Sequence, residues 1–214
     1  MFDPAQVTVL RKDAPLVDVL VVSGLSPVET DPWQAWLQAR FPQADWVRPL
    51  DGDWPDLDRW SARIDQALAR GATGRPALVL AHGFGALAVS RHATQGLRSP
   101  ASAILVTPAS PHRFGLDRDS IGHPMPYKST LLAPQGGAHA ESPWLQDEDA
   151  RSWAAAWNCR LVDAGRGPVQ GVAAVAGATP PWAEGEAVLI EHMGPLLARA
   201  RAEGVGRTKV TFAV

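Results

Sequence analysis

The sequence predicts an α/β protein: a three-layer α/β/α sandwich built on a mostly parallel sheet. Short apolar runs rich in β-branched residues alternate with segments whose apolar residues recur at helical spacing. The short runs are apolar on both faces, as is typical of strands covered by helices on either side. A length of 214 residues fits one large domain better than two small ones. We therefore predict a single domain over residues 1–214.

The first half of the chain predicts three strands and their helices. Residues 16–23 predict the first core strand, which closes at Gly24. Asp31 is placed to cap a helix, residues 44–49 predict an edge strand, and Asp56 is placed to cap the next helix. Two sets of apolar residues mark the buried faces of these helices: Trp33, Trp36, Leu37 and Phe41, and then Leu57, Trp60, Ile64 and Leu68. Residues 77–81 predict the third strand, which ends in a sharp turn at Gly83.

The second half continues the alternation. A buried helix follows the turn at Gly83 and carries Ala86, Leu87, Val89 and Ala93. Strands are predicted at 103–107, 129–133 and 160–162, and helices around 145–157 and 184–201. The segment 108–127, rich in Pro, His, Arg and Asp, is expected to loop over the strand ends and line a pocket. Residues 208–214 alternate like a strand and are paired with 7–10 in this prediction.

Composition excludes several functions. The net charge of -2, without a basic run, argues against nucleic acid as a partner. No apolar stretch approaches the roughly 20 residues of a membrane span, and no leader pattern is visible, so we predict a cytoplasmic protein. The single cysteine, Cys159, excludes an internal disulfide and a multi-cysteine metal site, and we predict neither a metal nor a cofactor.

Several segments carry a resemblance to a known family. They are Gly-Leu at 24–25, Asp-Pro-Trp-Gln-Ala-Trp-Leu at 31–37, Trp-Pro-Asp-Leu-Asp-Arg-Trp at 54–60, the strand and turn at 77–85, and Pro-Trp-Ala-Glu-Gly at 181–185. In this order they resemble the small α/β-hydrolases typified by YdeN and by retinoblastoma-binding protein 9. The resemblance implies an α/β-hydrolase fold and, in active members, a Ser-Asp-His triad that cleaves esters or related acyl bonds.

The departures from the family fall on the triad. The nucleophile position, in Ala-His-Gly-Phe-Gly at 81–85, is occupied by Gly83. The acid position aligns with Gly137 or with Ser142, beside which Glu141 is the one carboxylate. The interval in which the base is expected, 167–172, contains no histidine. Since loss of a serine nucleophile together with its base lowers turnover about a million-fold in subtilisin, ordinary serine-hydrolase chemistry is not expected.

The residues around the turn that still match the family predict a binding site. The resemblance implies an oxyanion hole formed by backbone N–H groups of Leu25 and Phe84, and we take Gly24, Leu25, His82, Gly83 and Phe84 as candidate binding residues. The preferred hypothesis is a catalytically inactive family member, a pseudoenzyme, that binds a small molecule or a protein partner.

Two alternatives stay open. One is a hydrolase for ester or amide bonds in which His123 or His139, with Glu141 nearby, activates a water. The other is a structural subunit of a homo-oligomer, held through tryptophan-bearing helices. For His82 we favour support of the turn, for Ser90 and His92 helix packing and surface, for Cys159 a small buried hydrophobe, and for the helical tryptophans core packing.

Overall fold

The computed structural model describes residues 16–25, 32–49, 55–71, 74–133, 147–164 and 182–205. Its strands are β1 (Asp18–Val22), β2 (Asp45–Val47), β3 (Ala77–His82), β4 (Ser102–Val106), β5 (Lys128–Ala133) and β6 (Arg160–Asp163). Its helices are α1 (Pro32–Arg40), α2 (Leu57–Arg70), α3 (Phe84–Thr94), α4 (Asp147–Ala156) and α5 (Ala183–Ala202). Two short 3₁₀ turns, Pro111–Phe114 and Arg118–Ser120, lie between β4 and β5.

The six strands form one sheet in the order β2-β1-β3-β4-β5-β6, and every neighbouring pair is parallel. The mostly parallel sheet predicted from the sequence is therefore confirmed, as is the edge position of β2. Because parallel strands place all their carboxyl ends at one side, the turns after β1, β3 and β4 meet at the same edge.

Helices cover both faces of the sheet, which confirms the three-layer sandwich. One apolar core joins even-numbered residues of β1 such as Leu20 and Val22 to α2, α3 and α4. The other joins Val19 and Val21 to α1 and α5. The helical tryptophans are buried inside these two cores as predicted: Trp33, Trp36, Trp60, Trp153 and Trp157.

The helix caps show how local sequence sets the element boundaries. Asp56 caps α2 as predicted: its side chain accepts hydrogen bonds from the backbone N–H groups of Asp58, at 2.9 Å, and Arg59, at 3.0 Å. The predicted cap Asp31 and the predicted pairing of 208–214 with 7–10 lie outside the described residues. No helix in the described ranges is long and apolar enough to span a membrane.

Trp182 anchors the start of α5. Its indole N–H donates to the carbonyl of Ala164 at 2.8 Å, and its ring meets that of Trp33 edge to face at 5.6 Å. A Cβ on Gly185 would lie 2.3 Å from the Trp182 ring, so only glycine fits beneath it. The Trp-Ala-Glu-Gly pattern is thus explained by packing.

Candidate functional site: a cavity over the β3–α3 turn

The turn between β3 and α3 is formed by Gly83, with φ 57° and ψ -120°. A positive φ of this kind is disfavoured for residues with a side chain but open to glycine. The backbone N–H of Gly83 donates to the Val106 carbonyl at 3.1 Å, and its carbonyl accepts from the N–H of Ala109, also at 3.1 Å. These bonds tie the turn to the segment that follows β4. The sharp turn predicted at Gly83 is confirmed.

Gly83 and Gly85 differ in how much space surrounds them. A Cβ on Gly83 would have the Cα of Gly24 at 3.6 Å as its nearest neighbour, which is ordinary van der Waals contact. A Cβ on Gly85 would instead lie 2.5 Å from the Val22 carbonyl oxygen and 2.6 Å from that of Ser23. Gly85 is therefore required for α3 to pack against the end of β1, whereas a side chain at position 83 would have room.

A cavity of about 70 Å³ lies over the turn. Its described lining consists of Gly24, Leu25, His82, Gly83, Phe84, Thr107, Ala109 and Phe114. All five residues proposed from the sequence as binding residues are among them, and the structure thus brings the predicted positions together. The segment 108–127, expected to line a pocket, contributes Ala109 and Phe114.

The cavity is largely apolar. Phe84 packs edge to face against Phe114 at 4.9 Å and against Trp60 at 5.2 Å, so an aromatic wall rises beside the turn. Among the described lining residues only His82 and Thr107 carry polar side chains. The N–H groups at the start of α3 add donors, because the first turn of a helix has no internal acceptors for them.

Sequence reasoning missed Thr107 and Phe114. Thr107 directly follows β4 and has φ 39°, an uncommon conformation for a β-branched residue. Its position was open to prediction, because β4 neighbours β3 and the ends of neighbouring parallel strands meet at one edge. Phe114 carried no such signal, since its place depends on the path of the 108–127 segment.

The other candidate residues from the sequence analysis do not line the cavity or lie outside the described residues. His123 is exposed and is not among the described residues that line the cavity. The candidates Gly137, His139, Glu141 and Ser142 and the interval 167–172 lie outside the described ranges. Within those ranges, no three His, Cys, Asp or Glu side chains gather as a metal site would require.

A buried histidine that the sequence analysis did not single out bonds two hydroxyl groups elsewhere in the fold. In α5, His192 Nδ1 lies 2.5 Å from Ser102 Oγ and its Nε2 lies 2.8 Å from Thr130 Oγ1. Ser102 also donates to the Lys128 carbonyl at 3.0 Å. All three side chains of the cluster are buried, so no substrate reaches this serine. Ser102 begins β4 while Thr107 follows it, which places the cluster roughly 16 Å from the cavity at 3.3 Å per residue.

For Ser90 and His92 we predicted helix packing and surface; the packing is confirmed, but the surface position is wrong, because both side chains are buried. The Ser90 hydroxyl donates to the Ile121 carbonyl, and His92 Nε2 lies 3.8 Å from Asp65, with its pKa lowered by burial. The reason is that α3 is covered by α2 and by the 108–127 segment as well as by the sheet. Cys159 is half-buried, and burial raises the pKa of its thiol to about 11, as expected of a small hydrophobe.

This architecture, a parallel sheet with a positive-φ turn between the third strand and a buried helix, defines the α/β-hydrolase fold. The profile of one family, described as serine hydrolase, matches residues 19–191. The chain therefore belongs to the serine hydrolase family. No curated protein matches the sequence.

Solved structures agree with this assignment. A YdeN-like hydrolase from Pectobacterium atrosepticum is 30% identical, with a TM-score of 0.72 over 89% of this chain and 98% of the relative. The ydeN gene product of Bacillus subtilis is 15% identical, with a TM-score of 0.56 over 85% and 99% of the two chains. Est1E from Butyrivibrio proteoclasticus is 12% identical, with a TM-score of 0.55 over 90% and 92%. The first places the chain among YdeN-like members, and the other two share its fold.

Proposed function

We propose that this chain is a non-catalytic member of the serine hydrolase family, a pseudoenzyme, that binds a small molecule in the cavity over Gly83. One observation carries the proposal. Gly83 has the positive φ of the turn at the nucleophile position, but it has no side chain. The turn supports a pocket and supplies no nucleophilic oxygen.

The size and lining of the cavity indicate what it accepts. An apolar cavity of about 150 Å³ holds benzene. At about 70 Å³, this cavity holds a group of a few heavy atoms, and the rest of a larger ligand would project outward. Its aromatic wall favours an apolar group, while the backbone donors at the start of α3 favour an oxygen atom next to it.

Labelling with a fluorophosphonate probe and turnover of short-chain aryl esters test the absence of catalysis. We expect neither labelling nor enzyme-dependent turnover with the natural chain, with an active serine esterase as the positive control. The G83S variant places a hydroxyl group at the turn. Its labelling and turnover test whether the missing nucleophile alone accounts for the lack of activity. Labelling or rapid turnover by the natural chain, abolished by one histidine substitution, would overturn the proposal.

Binding is tested by titrating small carbonyl compounds while recording the backbone amide resonances of the chain. We expect the largest shifts at Gly83, Phe84 and Thr107. A109L places a larger side chain in the cavity and should abolish them, whereas L97A removes an exposed leucine elsewhere and should leave them unchanged. Equal shifts in A109L and the natural chain would show that the compounds bind at another place.

The other expectations remain predictions. A protein partner, a homo-oligomer and a cytoplasmic location each await direct measurement. The homo-oligomer hypothesis invoked the helical tryptophans, but those in α1, α2 and α4 pack inside the chain. The exposed large hydrophobic residues of the described ranges are Leu25 and Leu97, one on each of two separate turns, which favours the small-molecule proposal over an apolar interface.

A further inference from the structure

A second cavity, of about 240 Å³, lies at the opposite edge of the sheet from the turn at Gly83. It is lined by the first residues of β1, β2 and β3 and by the last turn of α2. Since parallel strands begin at one edge and end at the other, the six residues of β3 separate the two cavities by roughly 20 Å at 3.3 Å per residue. No described residue lines both cavities, so the second is a separate space.

Two carboxylates and two guanidiniums line this second cavity. Arg75 Nη1 lies 3.6 Å from Asp18 Oδ1, and Arg70 Nε lies 3.8 Å from Asp45 Oδ2. Both distances exceed the range of a hydrogen bond, so these atoms attract one another only as charges. All four side chains are partly exposed, and that of Asp18 is the least exposed, at 25%. The rim of the cavity therefore presents positive and negative groups in equal number.

The buried part of the lining is apolar. Leu20 of β1 and Ala67 of α2 are buried in the core between the sheet and α2, and Leu68 packs against that core. Gly71, just after α2, leaves space for the nearest carboxylate, because a Cβ there would lie 2.8 Å from Asp18 Oδ2. The cavity thus combines an apolar base with a rim of opposite charges.

This combination limits the ligand class. A lone cation would compete with the guanidiniums for the carboxylates, and a lone anion would compete with the carboxylates for the guanidiniums. A zwitterion supplies a partner to both kinds of group at once, and charge-assisted hydrogen bonds are stronger than neutral ones. An apolar cavity of about 150 Å³ holds benzene, so one of about 240 Å³ accepts a molecule of about ten non-hydrogen atoms. The size and charge together indicate a small zwitterion with an apolar part.

We propose that this cavity binds a free α-amino acid with an apolar side chain, of the size of leucine. Its ammonium group contacts the two carboxylates of the rim, and its carboxylate contacts the two guanidiniums. Its side chain packs against Leu20 and Ala67. Because the site lies apart from the cavity over Gly83, this inference goes beyond the proposed function and does not depend on it.

The test titrates L-leucine, 4-methylpentanoate and 3-methylbutylamine while the backbone amide resonances of the chain are recorded. The three compounds share one branched side chain, but the second lacks the ammonium group and the third lacks the carboxylate. We expect leucine to shift the resonances of Asp18, Asp45 and Gly71, and not those of Gly83 and Phe84, with a dissociation constant of about 5 mM or below. Because ion pairs at a partly exposed rim are weak, leucine should bind about fivefold more tightly than either analogue.

Two substitutions separate the roles of the charges. D45N is expected to weaken leucine about threefold to fivefold and to leave 4-methylpentanoate, which has no ammonium group, bound at least as tightly as before. R75Q is expected to weaken leucine and 4-methylpentanoate and to leave 3-methylbutylamine bound at least as tightly. The matched control is R160Q, which removes a partly exposed arginine that pairs with Glu191 at the far edge of the sheet, and it should change none of the three affinities. Unchanged melting temperatures verify that each variant folds.

Each contrary outcome removes a defined part of the inference. Shifts at Gly83 and Phe84 instead of the second cavity, or no saturation up to about 20 mM leucine, would overturn the site. Equal affinities for the three compounds would overturn the amino-acid class, since the apolar side chain alone would then be recognised. Equal weakening by R75Q and R160Q would overturn the role of the rim charges. None of these results alters the fluorophosphonate and A109L tests, which address the cavity over Gly83.

Discussion

His192 Nδ1 lies 2.5 Å from Ser102 Oγ in the interior of the protein, at the start of β4. Since Ser102 donates its single hydroxyl hydrogen to the Lys128 carbonyl, Nδ1 carries the imidazole proton and Nε2 accepts from Thr130. Both nitrogens of a neutral ring are thereby satisfied. The pair resembles a nucleophile and its base in composition, but burial makes it a structural contact.

This contact predicts an acid-dependent loss of stability. Burial, with a contribution from the charge of Lys128, lowers the pKa of His192 from 6.5 to about 4. In that interval the unfolded chain binds a proton that the folded chain does not, so stability falls as the pH decreases from about 6.5 and levels off below about 4. The full effect is on the order of 3 kcal/mol.

Urea unfolding of the natural chain and H192Q across this interval measures the effect. The glutamine variant is expected to lose less stability on acidification, by an amount on the order of 3 kcal/mol. H123Q alters an exposed histidine and should keep the pH dependence of the natural chain. Parallel pH profiles for H192Q and the natural chain would show that the buried ring does not titrate as described.

G85A is expected to destabilise the protein severely. Its Cβ would approach the Val22 and Ser23 carbonyl oxygens within 2.5 and 2.6 Å, and backbone atoms cannot move aside without shifting α3 from the sheet. A loss of more than about 3 kcal/mol, or failure to fold, should follow. The matched control is G194A in α5, where a Cβ meets nothing within 4 Å outside its own helix; because Pro195 follows, the helix propensity gained with alanine is offset and a change within about 1 kcal/mol is expected. Similar melting temperatures for both variants would refute the close approach at Gly85.

G83A is expected to lower the free energy of unfolding by about 2 kcal/mol, because alanine must adopt an unfavourable backbone conformation although its Cβ has room. G115A serves as its control. Gly115 lies in the ordinary left-handed region at φ 63° and ψ 24°, with open space around it, and a loss of about 1 kcal/mol is expected there. Chemical denaturation distinguishes the two, and a smaller loss for G83A than for G115A would count against the geometry of the turn.

Cys159 is expected to react slowly with thiol reagents. With the pKa raised by burial from 9.0 to about 11, the thiolate fraction near neutral pH is about a hundredfold smaller than for an ordinary thiol. The rate of modification by a disulfide reagent, compared with that in urea, measures this difference. A rapid reaction in the folded protein would contradict the interpretation of Cys159 as a small hydrophobe and would make it a candidate nucleophile.

Periodicity and turn residues predicted the order and type of the described elements because the four central strands, β1, β3, β4 and β5, are largely buried on both faces and the helices have apolar faces. The alignment of Gly83 with the nucleophile position placed the candidate cavity. Ser90 and His92 were misjudged because local spacing does not report that the 108–127 segment covers α3. Thr107 was missed although it follows β4, whose end lies beside the end of β3 in the parallel sheet. Phe114 was missed because its place depends on the path of the 108–127 segment, which local sequence does not report.

The contrast between Gly83 and Gly85 bears on how activity is inferred from short motifs. Gly85 is required because the carbonyl oxygens of Val22 and Ser23, at the end of β1, leave no room for a Cβ, and this holds whatever chemistry the turn carries. At Gly83 the fold requires only an unusual backbone conformation. A family member can therefore lose its nucleophile through one substitution at the central position of the turn, while the flanking glycine stays in place. A search for the short motif that scores only the flanking glycines will then count catalytically inactive proteins among the enzymes.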